Sequence, residues 1–249
     1  CIVEDNKHNL WIGTSDGGLN YYDNASQLYK NYLFNSGNLD VPFKDIKTVY
    51  VDEVQDRIYV GAHAGGMMVL HRKSGYIEYY NRHNSNLPSN NIYSIISDGY
   101  GGLWVASLEY LLHFDIDKRN FTIVDVDEDG HKLQQYNRLL FCDSKKRIWA
   151  GGEMGISVFN QVGTSLLPNT DFQIASVLKQ AFVNCFYETS SGYLWIGTRN
   201  GLFALKESDK QFLQYTTENG LPSNVIYGIL EDAYGRLWIC LLYTSDAAD

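Results

Sequence analysis

Apolar and polar positions alternate along this chain in short runs, each closed by a polar or glycine-containing turn. Ile92-Tyr-Ser-Ile-Ile-Ser-Asp98 leads into Tyr100-Gly-Gly102, and Val225-Ile-Tyr-Gly-Ile-Leu-Glu-Asp232 leads into Tyr234-Gly-Arg236. Runs of about five residues with a period of two predict β-strands and are too short for helices of ordinary length. The turn is followed by a segment that recurs six times: Leu10-Trp-Ile-Gly-Thr14, Ile58-Tyr-Val-Gly-Ala62, Leu103-Trp-Val-Ala-Ser107, Ile148-Trp-Ala-Gly-Gly152, Leu194-Trp-Ile-Gly-Thr198 and Leu237-Trp-Ile239. Its central aromatics, Trp11, Tyr59, Trp104, Trp149, Trp195 and Trp238, stand 48, 45, 45, 46 and 43 residues apart.

Two further strands complete each unit. The third includes Gly18-Leu-Asn-Tyr-Tyr-Asp23, Met67-Met-Val-Leu70, Leu111-Leu-His-Phe-Asp115, Ile156-Ser-Val-Phe159 and Gly201-Leu-Phe-Ala-Leu205. The fourth includes Tyr29-Lys-Asn-Tyr32, Ile77-Glu-Tyr-Tyr80, Phe121-Thr-Ile-Val124 and Phe212-Leu-Gln-Tyr215. A four-stranded antiparallel sheet with two apolar faces cannot bury both alone. Stacking such sheets radially, about 10 Å apart, buries them face to face and leaves only short edges. The expected fold is therefore all-β, a β-propeller fragment of four-stranded antiparallel blades, with the tryptophans packed between sheets. A period near 45 residues fits this architecture better than paired-helix repeats of roughly 34.

The repeat places the blades at about 1–40, 41–88, 89–133, 134–178, 179–222 and 223–239, four of them complete and the first and last partial. After Ile239 the repeat expects Gly-Thr, and Cys240-Leu-Leu-Tyr-Thr-Ser-Asp-Ala-Ala-Asp249 stands there instead. Residues 240–249 are read as a non-native, adapter-derived tail.

Composition agrees with the pattern and excludes some functions. Nineteen Tyr, 11 Phe, 5 Trp and 22 Gly against 4 Pro suit aromatic strands punctuated by glycine turns. The formal net charge of −9 argues against nucleic acid, which needs a basic surface to displace phosphate counterions. No stretch of about 18 apolar residues marks a membrane helix in this sequence. Cys1, Cys142, Cys185 and Cys240 show no paired spacing and read as small apolar strand residues.

Candidate chemistry gathers at the end of each blade where the joint enters the first strand. At one aligned position of the innermost strand stand Lys47, Tyr93, Arg138, Asn184 and Tyr227. At the next stand Thr48, Ser94, Leu139, Cys185 and Gly228, mostly small, as a crowded axis requires. Tyrosine stacks on a sugar face and arginine forks onto a carboxylate or sulfate, so the first set is the candidate ligand-binding ring. The plainer reading is a solvated channel lining. The turns between second and third strands add Asp16, His63, Glu109, Glu153 and Arg199, more often ordinary turn residues.

Asp125-Val-Asp-Glu-Asp-Gly130 matches the first half of a calcium loop through Asp125, Asp127 and Asp129, but Tyr136 stands where the bidentate Glu belongs. An acidic loop between blades is the stronger reading, and no other cofactor is expected. The six histidines show no metal-pair spacing, and no phosphate loop or nucleophile elbow occurs. The chain is read as a non-enzyme.

Leu194-Trp-Ile-Gly-Thr-x-x-Gly-Leu202 together with Asn219-Gly-Leu-Pro-Ser-Asn224 resembles the two-component regulator propeller repeat, and Asn86-Leu-Pro-Ser-Asn90 repeats the joint. The resemblance covers residues 1–239. Blade four departs most, with Lys132-Leu-Gln-Gln-Tyr136 in place of the joint. It implies a periplasmic sensor propeller of a membrane-anchored hybrid histidine kinase of the Bacteroidota type. That protein would respond to an oligosaccharide or other small ligand, would work beside adjacent domains of the same chain, and would be a homodimer. The alternatives are a protein-interaction scaffold without a small ligand and, less favoured, a propeller lyase or hydrolase.

Overall fold

In a computed structural model of the chain, residues 1–32, 44–124, 137–169, 178, 181–206 and 211–242 are described. Apart from a 3-10 turn at Thr217–Asn219, their regular structure is entirely β. Blade one holds β1 (Ile2–Glu4), β2 (Leu10–Gly13), β3 (Leu19–Asp23) and β4 (Leu28–Asn31). Blade two holds β5 (Ile46–Asp52), β6 (Arg57–Ala62), β7 (Gly66–His71) and β8 (Ile77–Tyr80), and blade three β9 (Ile92–Ser97), β10 (Leu103–Ser107), β11 (Leu111–Asp115) and β12 (Asn120–Ile123). Blade four holds β13 (Asn137–Cys142), β14 (Arg147–Gly152), β15 (Gly155–Val162) and β16 (Ser165–Pro168), and blade five β17 (Val183–Glu188), β18 (Leu194–Thr198), β19 (Gly201–Lys206) and β20 (Gln211–Tyr215). Blade six has β21 (Ile226–Glu231) and β22 (Leu237–Leu241).

Strands pair with their sequence neighbours, giving five four-stranded sheets and one two-stranded sheet. Blade one, expected as partial, still completes its sheet: β1 has three residues against seven in β5, and the ladder Ile2–Ile12, Val3–Trp11, Glu4–Leu10 suffices. Strand β22 runs two residues beyond Ile239, with Cys240 opposite Gly228 and Leu241 opposite Ile226. Backbone ladder bonds are indifferent to side-chain identity, so these two residues fit the sheet although they depart from the repeat. The chain divides into two compact units, Cys1–Leu140 and Phe141–Asp249.

Blade two explains why the sheets stack. Its strands bury both faces, so side chains of alternating parity enter two separate cores. Ile58, Val60, Met68 and Leu70 pack with Trp11, Leu19 and Ile46 on the blade-one side. Tyr59, Met67 and Val69 pack with Ile92, Leu103, Val105 and Phe114 on the blade-three side. Two adjacent methionines thus serve different cores, as the period of two requires.

Close approach between blades falls on the glycine of the second strand. A Cβ added to Gly61 would lie 2.5 Å from the Ile92 side chain, at the start of the next blade. The same fit recurs between Gly13 and Ile46, Gly151 and Val183, and Gly197 and Ile226. In each case a β-branched side chain fills the space that the missing Cβ leaves.

Blades one, four and six are closed at their other end by an aspartate six residues before the tryptophan. Asp143 Oδ2 accepts the Trp149 indole N–H at 2.8 Å, while its Oδ1 accepts the backbone N–H groups of Lys145 and Arg147. Asp5 and Trp11 form the same pair at 3.3 Å, and Asp232 and Trp238 at 3.0 Å. Neighbouring blades are joined here too. A glutamate of the next blade accepts the backbone N–H that follows this position, Glu53 from Asn6, Glu188 from Ser144 and Glu231 from Ser190.

Candidate functional site

The innermost strands carry an irregularity in the same place. In blade two Ile46 lies opposite Ala62 and Thr48 opposite Gly61, so β5 advances two residues while β6 advances one. Lys47 is the extra residue, a β-bulge. Tyr93 occupies the bulge between Ile92 and Ser94, Asn184 that between Val183 and Cys185, and Tyr227 that between Ile226 and Gly228. Four of the five predicted ring residues are therefore released from the ladder by the same backbone device. Arg138, the fifth, lies on β13 with its guanidinium carbon 5.1 Å from the centre of the Tyr93 ring.

The small residue after each bulge has a different task. Thr48 Oγ1 accepts the Ile95 N–H at 3.3 Å, and Ser94 Oγ accepts the Leu140 N–H at 3.1 Å. The inner strands of consecutive blades are thereby stitched together beside the bulges. Asn184 makes a comparable link, its Nδ2 donating to the Ile226 carbonyl at 2.8 Å.

Within the first unit, Tyr93 and Arg138 form one cation–aromatic pair, and Lys47 makes an ion pair with Asp45 at 2.9 Å. Within the second, Asn184 is tied to the strand that carries Tyr227, which is half exposed. Of the turn residues, His63 lies 3.9 Å from Asp45, and Arg199 has its guanidinium carbon 3.7 Å from the Phe182 ring centre. Asp125, Asp127 and Asp129 lie outside the described residues. Among the described residues, no group of three His, Cys, Asp or Glu is placed to hold a metal ion.

At the same end of blades two and three opens a cleft of about 430 Å³, lined by Arg82, Ser89, Asn90, Asn91, Glu109 and Tyr110 among others. Its floor is the Leu-Pro-Ser-Asn joint. Asn90 Oδ1 accepts the Arg82 N–H at 2.8 Å, its carbonyl accepts the Gly66 N–H at 2.7 Å, and Ser89 Oγ accepts the Asn91 N–H at 3.2 Å. The second copy repeats this, with Asn224 Oδ1 accepting from Thr217, the Asn224 carbonyl from Gly201 and Ser223 from Val225. The motif is architectural: it anchors the joint and leaves the amide nitrogens of Asn90 and Asn91 without a partner among the described residues. Asn91, Arg82 and Tyr110 are cleft residues that sequence reasoning missed. The recurrence of the joint at 86–90 and 220–224 was the signal pointing to them.

A family model described as "Two component regulator propeller" matches residues 86–109, 178–200 and 220–241. Histidine kinase P4 of Formosa agariphila is 24% identical over 283 aligned residues, covering 90% of this chain and 20% of the kinase. An extracellular domain ascribed to the hybrid two component system BT3049 of B. thetaiotaomicron superposes with a TM-score of 0.78 at 19% identity, over 96% of this chain and 32% of that one. PorZ, a bacterial surface component of the type-IX secretion system of Porphyromonas gingivalis, superposes with a TM-score of 0.73 at 17% identity, over 95% and 36%. The chain thus spans about a fifth of the curated relative and about a third of these structures.

Proposed function

We propose, from the premise that this chain carries two-component regulator propeller repeats, that it is an extracytoplasmic sensor module that binds an oligosaccharide at the joint end of its inner strands. The observation that carries this is the recurring bulge. A bulge re-aims the side chain of its extra residue away from the regular pleat, a device found beside functional sites. In the first unit the bulges present Lys47 and Tyr93, with Arg138 against Tyr93, and in the second unit they present Asn184 and Tyr227. Aromatic faces, amides and cations are the groups that hold sugar rings, hydroxyls and acidic substituents. The polar cleft beside Asn90 and Asn91 opens at the same end of blades two and three. Binding becomes a signal when the ligand favours one of two states of the parent protein, which the adjacent domains and a dimer would supply.

Isothermal titration of the full chain against neutral and acidic oligosaccharides tests this. A saturable heat is expected with at least one class. Replacing Tyr93 or Arg138 with Ala should weaken it by about 1–3 kcal/mol. Unchanged affinity in both variants would remove the inner-strand assignment. Absence of saturable binding across the panel would favour a protein-interaction scaffold.

A further inference from the structure

The joints that lead into β9 and β21 are built alike but carry different side chains at two positions. Asn90 Oδ1 accepts the backbone N–H of Arg82, and Asn224 Oδ1 accepts that of Thr217. Thr217 also turns its hydroxyl to Asn224 Nδ2 at 3.4 Å, which engages that amide. Arg82 has no hydroxyl to offer, so Asn90 Nδ2 is left over. After the joint stands Asn91 in one copy and Val225 in the other. Asn91 Oδ1 accepts the Ala64 N–H at 2.7 Å, and its Nδ2 is left over as well. The second joint folds with Thr217 and Val225, so the turn itself requires neither the Arg82 nor the Asn91 side chain.

Each asparagine is oriented by its own oxygen. A backbone N–H holds Oδ1, so the two ends of the amide cannot exchange and the NH2 group is fixed as a donor. Both residues line the cleft of about 430 Å³, and so do two charged ones, Arg82 and Glu109. Arg82 and Glu109 are exposed, and neither has an ion-pair partner among the described residues. A cation and an anion thus share one cleft without closing on each other.

We propose that this cleft binds a small zwitterion of the amino-acid type, its carboxylate on the Arg82 guanidinium and the Asn90 and Asn91 amides, and its ammonium on Glu109. Fixed amide donors beside a guanidinium suit the lone pairs of a carboxylate. A guest with one charge would leave the opposite charge of the cleft unpaired, whereas a zwitterion meets both. The volume of about 430 Å³ falls within the range of small-molecule sites, roughly 300–1,000 Å³, and admits a side chain beyond the charged groups. Arg82 and Glu109 stay in contact with water, so affinity is modest and falls as salt rises. The site shares no residue with the inner-strand set and stands without the oligosaccharide reading.

L-Alanine, L-glutamine, L-leucine and L-phenylalanine are the probes, titrated singly into the full chain by ligand-observed NMR and calorimetry. The N-acetyl and carboxamide derivatives of each, which lack one charge, and maltose are run beside them. At least one amino acid should saturate at millimolar concentration, with both of its derivatives weaker by about fivefold or more. Arg82→Thr, which takes the residue of the second joint, and Glu109→Gln should each weaken it by a similar factor at an unchanged thermal midpoint. Lys73→Gln, exposed in the turn between β7 and β8, should bind as the native chain does. If Arg82→Thr lowers the midpoint, Glu109→Gln carries the test alone. The proposal is overturned if no amino acid saturates, if a derivative lacking one charge binds as tightly as its parent, or if Glu109→Gln binds like the native chain. It is equally overturned if maltose binds and Arg82→Thr abolishes that binding, which would make the cleft a polyol site.

Discussion

Blades four and six make the same clasp in different surroundings. Asp143 holds Trp149 and Arg147 at 2.8 and 2.6 Å, and Asp232 holds Trp238 and Arg236 at 3.0 and 2.7 Å. Yet Trp149 is 0% exposed and Trp238 is 60% exposed. Blade four has four strands with β17 beside it, whereas blade six has only β21 and β22. The hydrogen-bonded turn is thus a product of seven consecutive residues, and the burial of its indole is a property of neighbouring strands. Blade five adds a third case. Thr189 replaces the aspartate and bonds only within its own turn, and the buried Trp195 indole nitrogen has no partner among the described residues.

The largest effect should come from cutting out the indole in each setting. Trp149→Ala is expected to cost about 3–5 kcal/mol, as large-to-small changes in a packed core do, and Trp238→Ala under about 1 kcal/mol. Urea unfolding of the two variants compares them, and equal losses would show that burial is not what separates the blades. Thr189→Asp comes next. It should supply the missing acceptor for Trp195 and raise stability by about 1 kcal/mol, the net worth of one hydrogen bond. A lowered unfolding midpoint would mean that the turn of blade five cannot take the shape seen at Asp143. The smallest effect is on pH. The Trp238 indole, with the N–H groups of Arg236 and Tyr234, holds the Asp232 carboxyl down at about 2 against an ordinary 3.8. A depressed carboxyl contributes stability above its unfolded value, and this contribution is lost as pH falls from 3.8 towards 2. The indole N–H resonance of Trp238 should report this step, and Asp232→Asn should abolish it.

Much of this architecture was legible because the repeat is written in side chains. The spacing of Trp11, Tyr59, Trp104, Trp149, Trp195 and Trp238 located the second strands, and alignment on them found Lys47, Tyr93, Arg138, Asn184 and Tyr227. The bulges beneath those residues were not legible, since register is a relation between two backbones and leaves no mark on residue type. Asp143 and Trp149 were each visible, as an acidic turn and a core aromatic. Their bond depends on a hairpin that brings positions six apart within 2.8 Å. Blade one kept its sheet because a ladder needs backbone length more than a full repeat.

The fit of Ile92 against Gly61 bears on how such a chain grows. Blades two and five carry both parts, a plug at the first strand (Ile46, Val183) and a socket at the second (Gly61, Gly197). A duplicated stretch of gene that encodes one whole period therefore arrives with both junctions already complementary. A copy that breaks the period sets plug against plug and is lost with the fold. Inheritance in multiples of one unit is then a consequence of where a single hydrogen atom replaces a methyl group.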